Sequence, residues 1–436
     1  MVAFFGDKNR TFFSNGNLYF LALCFFVVTL YSPVSQVNNL AIALIGLTWV
    51  FAGNYKKISS LLSNPAALCI LLFYLFQACT LFYTQNKPNG SKWLEYRSPF
   101  FYLPLLLGTS EITAFQKRKL LKFFAWVTVA VVTIGLGYGI IRSLMTGDSV
   151  YLYSDSLGFL FDKQAVYLAM YVNFAIVIFL YFLHQHAFEK KIHRRLAVGS
   201  ICLMAFVNYL LASRNAMLVL VCVLSLYVFY LIYKRKQYLT GLILIFGLLT
   251  AVILSVKMFP KAAGRIVDVT NSSYQFNNLH EFDHFNGEVS AANWNSLNTR
   301  LAVWHCAGEV IKKHLIAGVG IGDVEDNLLA EYRSKDFVFG VRYNLNCHDQ
   351  YLDALVGYGI VGFLVFVVCI FGVPLLSAWK TRNYPMLYFI CSLGIYFVTE
   401  VMFNRNQGVT FIAFFMIILA ARPTPADAAA CQPTRC

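Results

Sequence analysis

Charge is what this sequence has least of. Only 13% of its 436 residues are charged, against roughly 25% in an ordinary soluble domain. Acidic side chains are the scarcer sign, 21 against 35 basic ones. So thin a polar complement excludes a water-soluble globular protein of this length. Amphipathic alternation is also missing: apolar runs of about span length recur without a polar face, as happens where helices satisfy their backbone groups in lipid. No CxxC and no Cys/His spacing of the zinc type occurs, so neither a zinc site nor a redox motif has a signature here. The first apolar run, near Asn17 to Tyr31, has no small-x-small cleavage site and is expected to be retained. Mid-span charges are few and no internal repeat is evident, which counts against a transporter.

What is present is hydrophobic residue, 58% of the chain, with a mean hydropathy of +0.61. The fold class expected is an all-α polytopic membrane protein with about 12 transmembrane helices and one large outer loop. Spans are expected near 17–32, 38–53, 65–84, 97–110, 121–143, 164–184, 196–213, 215–233, 238–257, 352–379, 385–403 and 407–421. Residues 1–257 then hold helices 1–9, 258–347 the large loop, 348–421 helices 10–12, and 422–436 a tail of different composition that reads as disordered or foreign to the fold.

The net charge of +14 invites a nucleic-acid reading, yet its distribution opposes one. Lys8/Arg10, Lys56/Lys57, Lys117/Arg118/Lys119, Lys190/Lys191/Arg194/Arg195, Lys234/Arg235/Lys236 and Lys380/Arg382 fall in every second connector, the pattern of the positive-inside rule. The partner of this charge is the lipid bilayer, and both termini are expected on the cytoplasmic side. Cys24, Cys69, Cys79, Cys202, Cys222, Cys369 and Cys391 lie in apolar runs as small hydrophobes, while Cys306 and Cys347 lie in or beside the large loop with their pairing left open.

The chemistry concentrates where apolar spans meet the outer connectors. Arg214, in LLASRNAML, falls at a helix–helix turn, where a guanidinium either snorkels to lipid phosphate or faces a partner. Arg300, in SLNTRLAVWH, begins an expected interfacial amphipathic helix over Leu301 to Ile311. His348 closes the loop just before a span, and histidine is the side chain best suited to accept a proton near neutral pH. Arg405, in FNRNQGV, faces either a diphosphate or a lipid headgroup from the last outer turn. Asp323, Glu325 and Asp326 read as a solvated loop face, with a divalent-ion site as the alternative. Tyr151, Tyr153, Tyr343 and Tyr358 suit sugar stacking or an interface belt equally well. Gly318 to Gly322 is no nucleotide loop, because no Lys-Ser/Thr follows it and no strand precedes it; it reads as a turn.

Ser213-Arg214, then Thr299-Arg300-Leu301-x-x-Trp304, then Gly318-x-Gly320-x-Gly322, then His348-x-x-Tyr351-Leu352 with Gly359 and Gly362 follow in order. This set resembles the O-antigen ligase and polymerase superfamily, from about Lys163 to Met416. The resemblance implies a GT-C-like fold in the bacterial inner membrane with a periplasmic active site. It implies a glycan donor linked to undecaprenyl diphosphate and a lipid A-core or other glycan acceptor. It also implies His348 as the base, with Arg214 and Arg300 holding the diphosphate, while Arg405 is a further diphosphate-binding candidate by its position alone. Neither cofactor nor metal is expected. A polymerase or a protein O-oligosaccharyltransferase on the same donor fits as well, and a lipid-linked glycan transporter is the rival from another class. Two departures stand out. Asp349 follows the histidine where the family usually has a neutral polar residue; facing the ring, it would raise the histidine pKa and modulate the base. Leu315 stands where proline is common before the Gly run.

Overall fold

The computed structural model describes residues 15–188, 190–233, 236–239, 241–242, 246, 274–277, 294 and 296–421. The run expected at 238–257, most of the loop before Ser296, the basic residues Lys8, Arg10, Lys234 and Arg235, and the tail from 422 lie outside these residues or largely so.

The described elements are helical, and no strand occurs among them. In chain order they are α1 (Asn15–Thr29), α2 (Ser35–Phe51), α3 (Pro65–Cys79), α4 (Lys87–Tyr96), α5 (Pro99–Gly108), α6 (Ala114–Thr146), α7 (Ala165–His184), α8 (Lys191–Leu210) and α9 (Arg214–Tyr233). The loop contributes α10 (Ser296–Lys313), α11 (Val324–Ser334) and α12 (Val338–Tyr343), and α13 (Gln350–Phe366), α14 (Val373–Lys380), α15 (Tyr384–Tyr396) and α16 (Asn406–Ala420) complete the chain. Five stretches are individually long and apolar enough to cross a bilayer: Pro65–Phe82, Ala114–Thr146, Ala165–His184, Arg214–Tyr233 and Gln350–Lys380. A sixth is the pair Gln36–Phe51 and Asn54–Ser63, bent by 103°. The described residues are therefore those of a helical, multi-pass membrane protein.

The two ends of the bundle differ chemically. At one end Lys57 pairs with Glu111 at 2.8 Å, Lys122 donates to Ala187 O at 2.9 Å, and Lys117 donates to Leu419 O at the end of α16. The basic connectors thus gather where α16 finishes, as the alternation of charge requires. The opposite end, where α16 starts, carries the polar residues of interest.

α16 has only 15 residues, about 22 Å at the helical rise, too short for a lipid-exposed span. It is instead wrapped by protein, with Val409 and Phe411 through Leu419 fully buried. Aromatic rings seal it: Phe411 stacks on Tyr171 at 4.2 Å, Phe414 on Phe26 at 4.6 Å and Phe415 on Phe124 at 4.6 Å. Inside lipid, polar contacts supplement packing between helices. Asn173 of α7 donates to Ala216 O at 2.8 Å and to Tyr396 Oη at 2.7 Å, while Asn208 of α8 donates to Asn173 Oδ1 at 2.7 Å. Those bonds lock α7, α8, α9 and α15 together.

The glycine run and α13 form one device. α13 breaks at Gly359 (φ 60°, ψ −165°), which frees backbone groups that the bilayer could not satisfy. The loop satisfies them: Ile360 N and Val361 N donate to Leu315 O and Ile316 O at 2.8 and 3.2 Å, and Val319 N and Gly320 N donate to Val356 O and Gly357 O at 3.0 and 2.8 Å. Backbones approach so closely that a Cβ on Gly318 would lie 2.4 Å from Tyr358 N, and one on Gly359 2.3 Å from Ile316 O. Gly318→Ala or Gly359→Ala is expected to lower the unfolding midpoint in detergent sharply, since the left-handed backbone alone costs about 1–3 kcal/mol before the clash. A thermal melt of the purified variants checks it.

Of the acidic residues after the run, Asp323 docks the loop from a buried position, Glu325 is half-buried, and Asp326 is exposed as expected for a solvated face. Asp323 is buried and accepts from Gln85 N and Asn86 N, each at 2.7 Å. Asp326 accepts from Asn86 Nδ2 at 2.8 Å and Glu325 from Asn89 Nδ2 at 3.3 Å. A separate loop core forms around Cys306, Val310, Leu328, Tyr332, Phe337 and Cys347. Cys306 and Cys347 are both buried free thiols.

Candidate active site

His348 is delivered by the loop core and received by α13. Trp304 Nε1 donates to Cys347 O at 3.1 Å, and Tyr332 Oη to Leu345 O at 3.0 Å, fixing the strand of chain just before the histidine. The next residues are stitched to the α15–α16 turn, with Gln350 N donating to Phe397 O at 2.8 Å and Phe403 N to Gln350 Oε1 at 2.9 Å. Between these anchors His348 adopts a left-handed backbone, φ 47°, while its N–H donates to Asn346 Oδ1 at 2.9 Å. Such strain in a non-glycine residue persists only where the surroundings enforce it, and it collects at functional sites.

The ring of His348 lines a cavity of about 540 Å³ at the end of the bundle where α16 begins. Its Nδ1 is buried without a hydrogen-bond partner among the described residues. Burial, and then the charge of Arg300, bring its pKa down from 6.5 to about 4. The imidazole is therefore neutral at physiological pH, the form that accepts a proton.

Four of the five residues singled out in the sequence lie in one electrostatic neighbourhood. Arg300, near the start of α10, donates through Nη2 to Thr399 O at 3.4 Å. Burial lowers its pKa, Glu400 raises it and Arg214 lowers it again, so the two arginines feel one another. Arg214 opens α9, whose start is held by Asn215 donating to Ile395 O at 3.1 Å and to Thr399 Oγ1. Thr399 thus serves both arginine-bearing helices. Arg405 precedes α16, is exposed, and lines the cavity with His348; Arg214 and Arg300 stand outside that lining.

Asp349 is the exception. Its carboxylate turns into the start of α13, where Oδ1 accepts from Tyr351 N at 2.7 Å and Leu352 N at 2.9 Å. This is helix capping, and the charge that reaches the imidazole is that of Arg300. Asp349→Ala is expected to lower stability by about 1 kcal/mol, and Asp349→Asn to keep it. In neither is the acid limb of the rate profile expected to move, which parallel melts and pH–rate profiles would check.

Glu400 was missed in the sequence. It lines the cavity beside His348. Burial raises its pKa, Arg300 and Arg405 pull it down and Asp155 pushes it up, so it stands between two of the arginines. A lone carboxylate in the apolar stretch FVTEVMF was the available signal. Arg97 is a buried hub. It donates to Phe403 O at 3.2 Å, Gln77 Oε1 at 3.0 Å, Tyr358 Oη at 2.5 Å and Asn404 Oδ1 at 2.7 Å, and lies 3.7 Å from Asp353. It braces the turn that carries Glu400 and Arg405.

A neutral imidazole, a group of guanidiniums around one carboxylate, and a roomy polar cavity form an arrangement able to bind an oligoanion and deprotonate a hydroxyl. No curated protein matches the chain. Residues 199–367 match a family model described as O-antigen ligase, a stretch that carries Arg214, Arg300 and His348 and stops short of Glu400 and Arg405. The part of the chain that builds the arginine pair and the imidazole is thus the part that is similar to the O-antigen ligase family.

Proposed function

We propose that this protein is an inverting glycosyltransferase of the O-antigen ligase type, working on the periplasmic side of a bacterial inner membrane within a bundle of about 12 spans of GT-C-like architecture. The donor is a glycan on undecaprenyl diphosphate and the acceptor a sugar hydroxyl of lipid A-core. The observation that carries this reading is His348 at the cavity wall, its Nδ1 buried without a partner among the described residues and within electrostatic reach of Arg300.

The acceptor oxygen attacks the anomeric carbon as its proton passes to His348. The bond from that carbon to the diphosphate oxygen breaks with its electron pair, so the diphosphate leaves as undecaprenyl diphosphate and the anomeric configuration inverts. A sugar hydroxyl is a weak nucleophile, and a positioned base accelerates such a step by about two to four orders of magnitude. Charge grows on the leaving diphosphate, where guanidinium forks stabilise it more strongly than ammonium groups do. Arg214 and Arg300 hold it, and Arg405 lines the cavity. Because the lipid diphosphate is already a good leaving group, these arginines suffice and no metal is required. Glu400 keeps Arg300 and Arg405 in place before the donor arrives.

Purified protein in detergent, supplied with donor and lipid A-core, is expected to transfer the glycan intact. In a deletion strain, unligated lipid-linked polymer should accumulate; accumulation of single repeat units would make the enzyme a polymerase instead.

A further inference from the structure

The cavity holds a cation that the proposed transfer step does not use. Lys163 lies between a short helical turn, Ser154–Phe161, and α7. It is 6% exposed and lines the cavity. Its Nζ donates to Ser32 O at 3.2 Å, and among the described residues it makes no ion pair. An ammonium has three N–H donors, so one bond to a backbone carbonyl leaves this one under-used. Burial lowers its pKa to about 8, opposed by Asp162, and the group stays protonated at neutral pH.

Burying such a charge with Asp162 near it but no direct ion pair is costly and needs a cause. The local backbone is built to enforce it. Gly158 O accepts from Lys163 N at 3.2 Å, and a Cβ on Gly158 would lie 2.0 Å from Lys163 O. Of the other carboxylates lining the cavity, Glu400 is flanked by Arg300 and Arg405, and Glu325 accepts from Asn89. The same cavity wall carries amides and rings, among them Asn38, Gln164, Tyr167 and Gln407, groups suited to sugar hydroxyls and sugar faces. The charges that act on His348, Arg300 and Glu400 do not include Lys163, so it stands apart from the arginine group.

We propose that Lys163 is a second anion-binding residue, distinct from Arg214 and Arg300, which grips an acidic substituent, phosphate or carboxylate, on the acceptor sugar. The assignment to the acceptor rests on the transferase reading; the binding chemistry does not. Trp93 lines the same cavity and reports on its occupancy by fluorescence. Titrating the full-length protein in detergent with glucose 6-phosphate, glucuronate and methyl glucoside is expected to show the acidic sugars binding at least about tenfold more tightly, the scale of one charge-assisted hydrogen bond. Lys163→Met should erase that preference and Lys163→Arg retain it, with a thermal melt confirming that both fold and Trp93→Phe confirming the source of the signal. Undecaprenyl diphosphate should bind wild type and Lys163→Met equally. Equal binding of all three sugars by wild type, or a matching loss of undecaprenyl diphosphate in Lys163→Met, would overturn the proposal. Because the readout is binding, wild-type protein that shows the preference yet transfers no glycan would instead refute the transferase reading.

Discussion

Replacing His348 with alanine is expected to slow glycan transfer by about two to four orders of magnitude while leaving donor affinity within a few-fold of wild type. The ring lines the cavity and contributes no charge to a diphosphate at neutral pH, because burial and Arg300 hold its pKa near 4. The loss should therefore fall on kcat and not on KM for the donor. The wild-type pH profile carries the same signature. A base with so low a pKa is in its active form above about pH 4, so the acid limb of kcat/KM for the donor, which reports the free enzyme, should lie there and not near 6.5. Once the diphosphate binds, its negative charge offsets Arg300, and the acid limb of kcat should sit at higher pH. If His348→Ala retained full transfer, the ring would have no part in the reaction.

Arg300→Ala is expected to have an effect almost as large, about two to three orders of magnitude in transfer rate, with a second consequence the histidine variant cannot show. Arg300 is one of the two causes that depress His348, so its removal should raise the histidine pKa and move the acid limb of kcat/KM to higher pH. Arg300→Lys keeps the charge and loses the planar fork. It should recover the position of the limb better than it recovers the rate. Glu400→Gln in the same background would relieve the carboxylate that Arg300 leaves behind, and so separates a charge-balance defect from loss of substrate contact.

The membrane class and the helices were legible because lipid imposes a pattern that needs no tertiary context. Apolar length and alternating basic connectors were enough to mark α1 to α3, α5 to α9 and α13 to α16, with α13 and α14 read as one span, whereas α4 lies where only a connector was expected. The convergence of Arg214, Arg300 and His348 was reached through motif order, since nothing in their separate surroundings says that Thr399 sits between two arginine-bearing helices. Side-chain direction was not legible. Asp349 reads in the sequence as a neighbour of the ring, and only the fold shows its carboxylate capping α13. Gly318 to Gly322 suggested a turn, but its role as a partner for the broken α13 depends on a contact some forty residues further on. Arg97 looked like a cost within an apolar run, and only the fold reveals that Asp353, Asn404 and Tyr358 surround it.

The central claim is spatial, that Arg214, Arg300 and His348 enclose one diphosphate. A cryo-EM structure of the protein with undecaprenyl diphosphate bound tests it most directly. The account expects both guanidiniums within hydrogen-bonding distance of the diphosphate oxygens and the imidazole facing the cavity beside them. Diphosphate density elsewhere in the bundle, with these three side chains making no contact to it, would contradict the account.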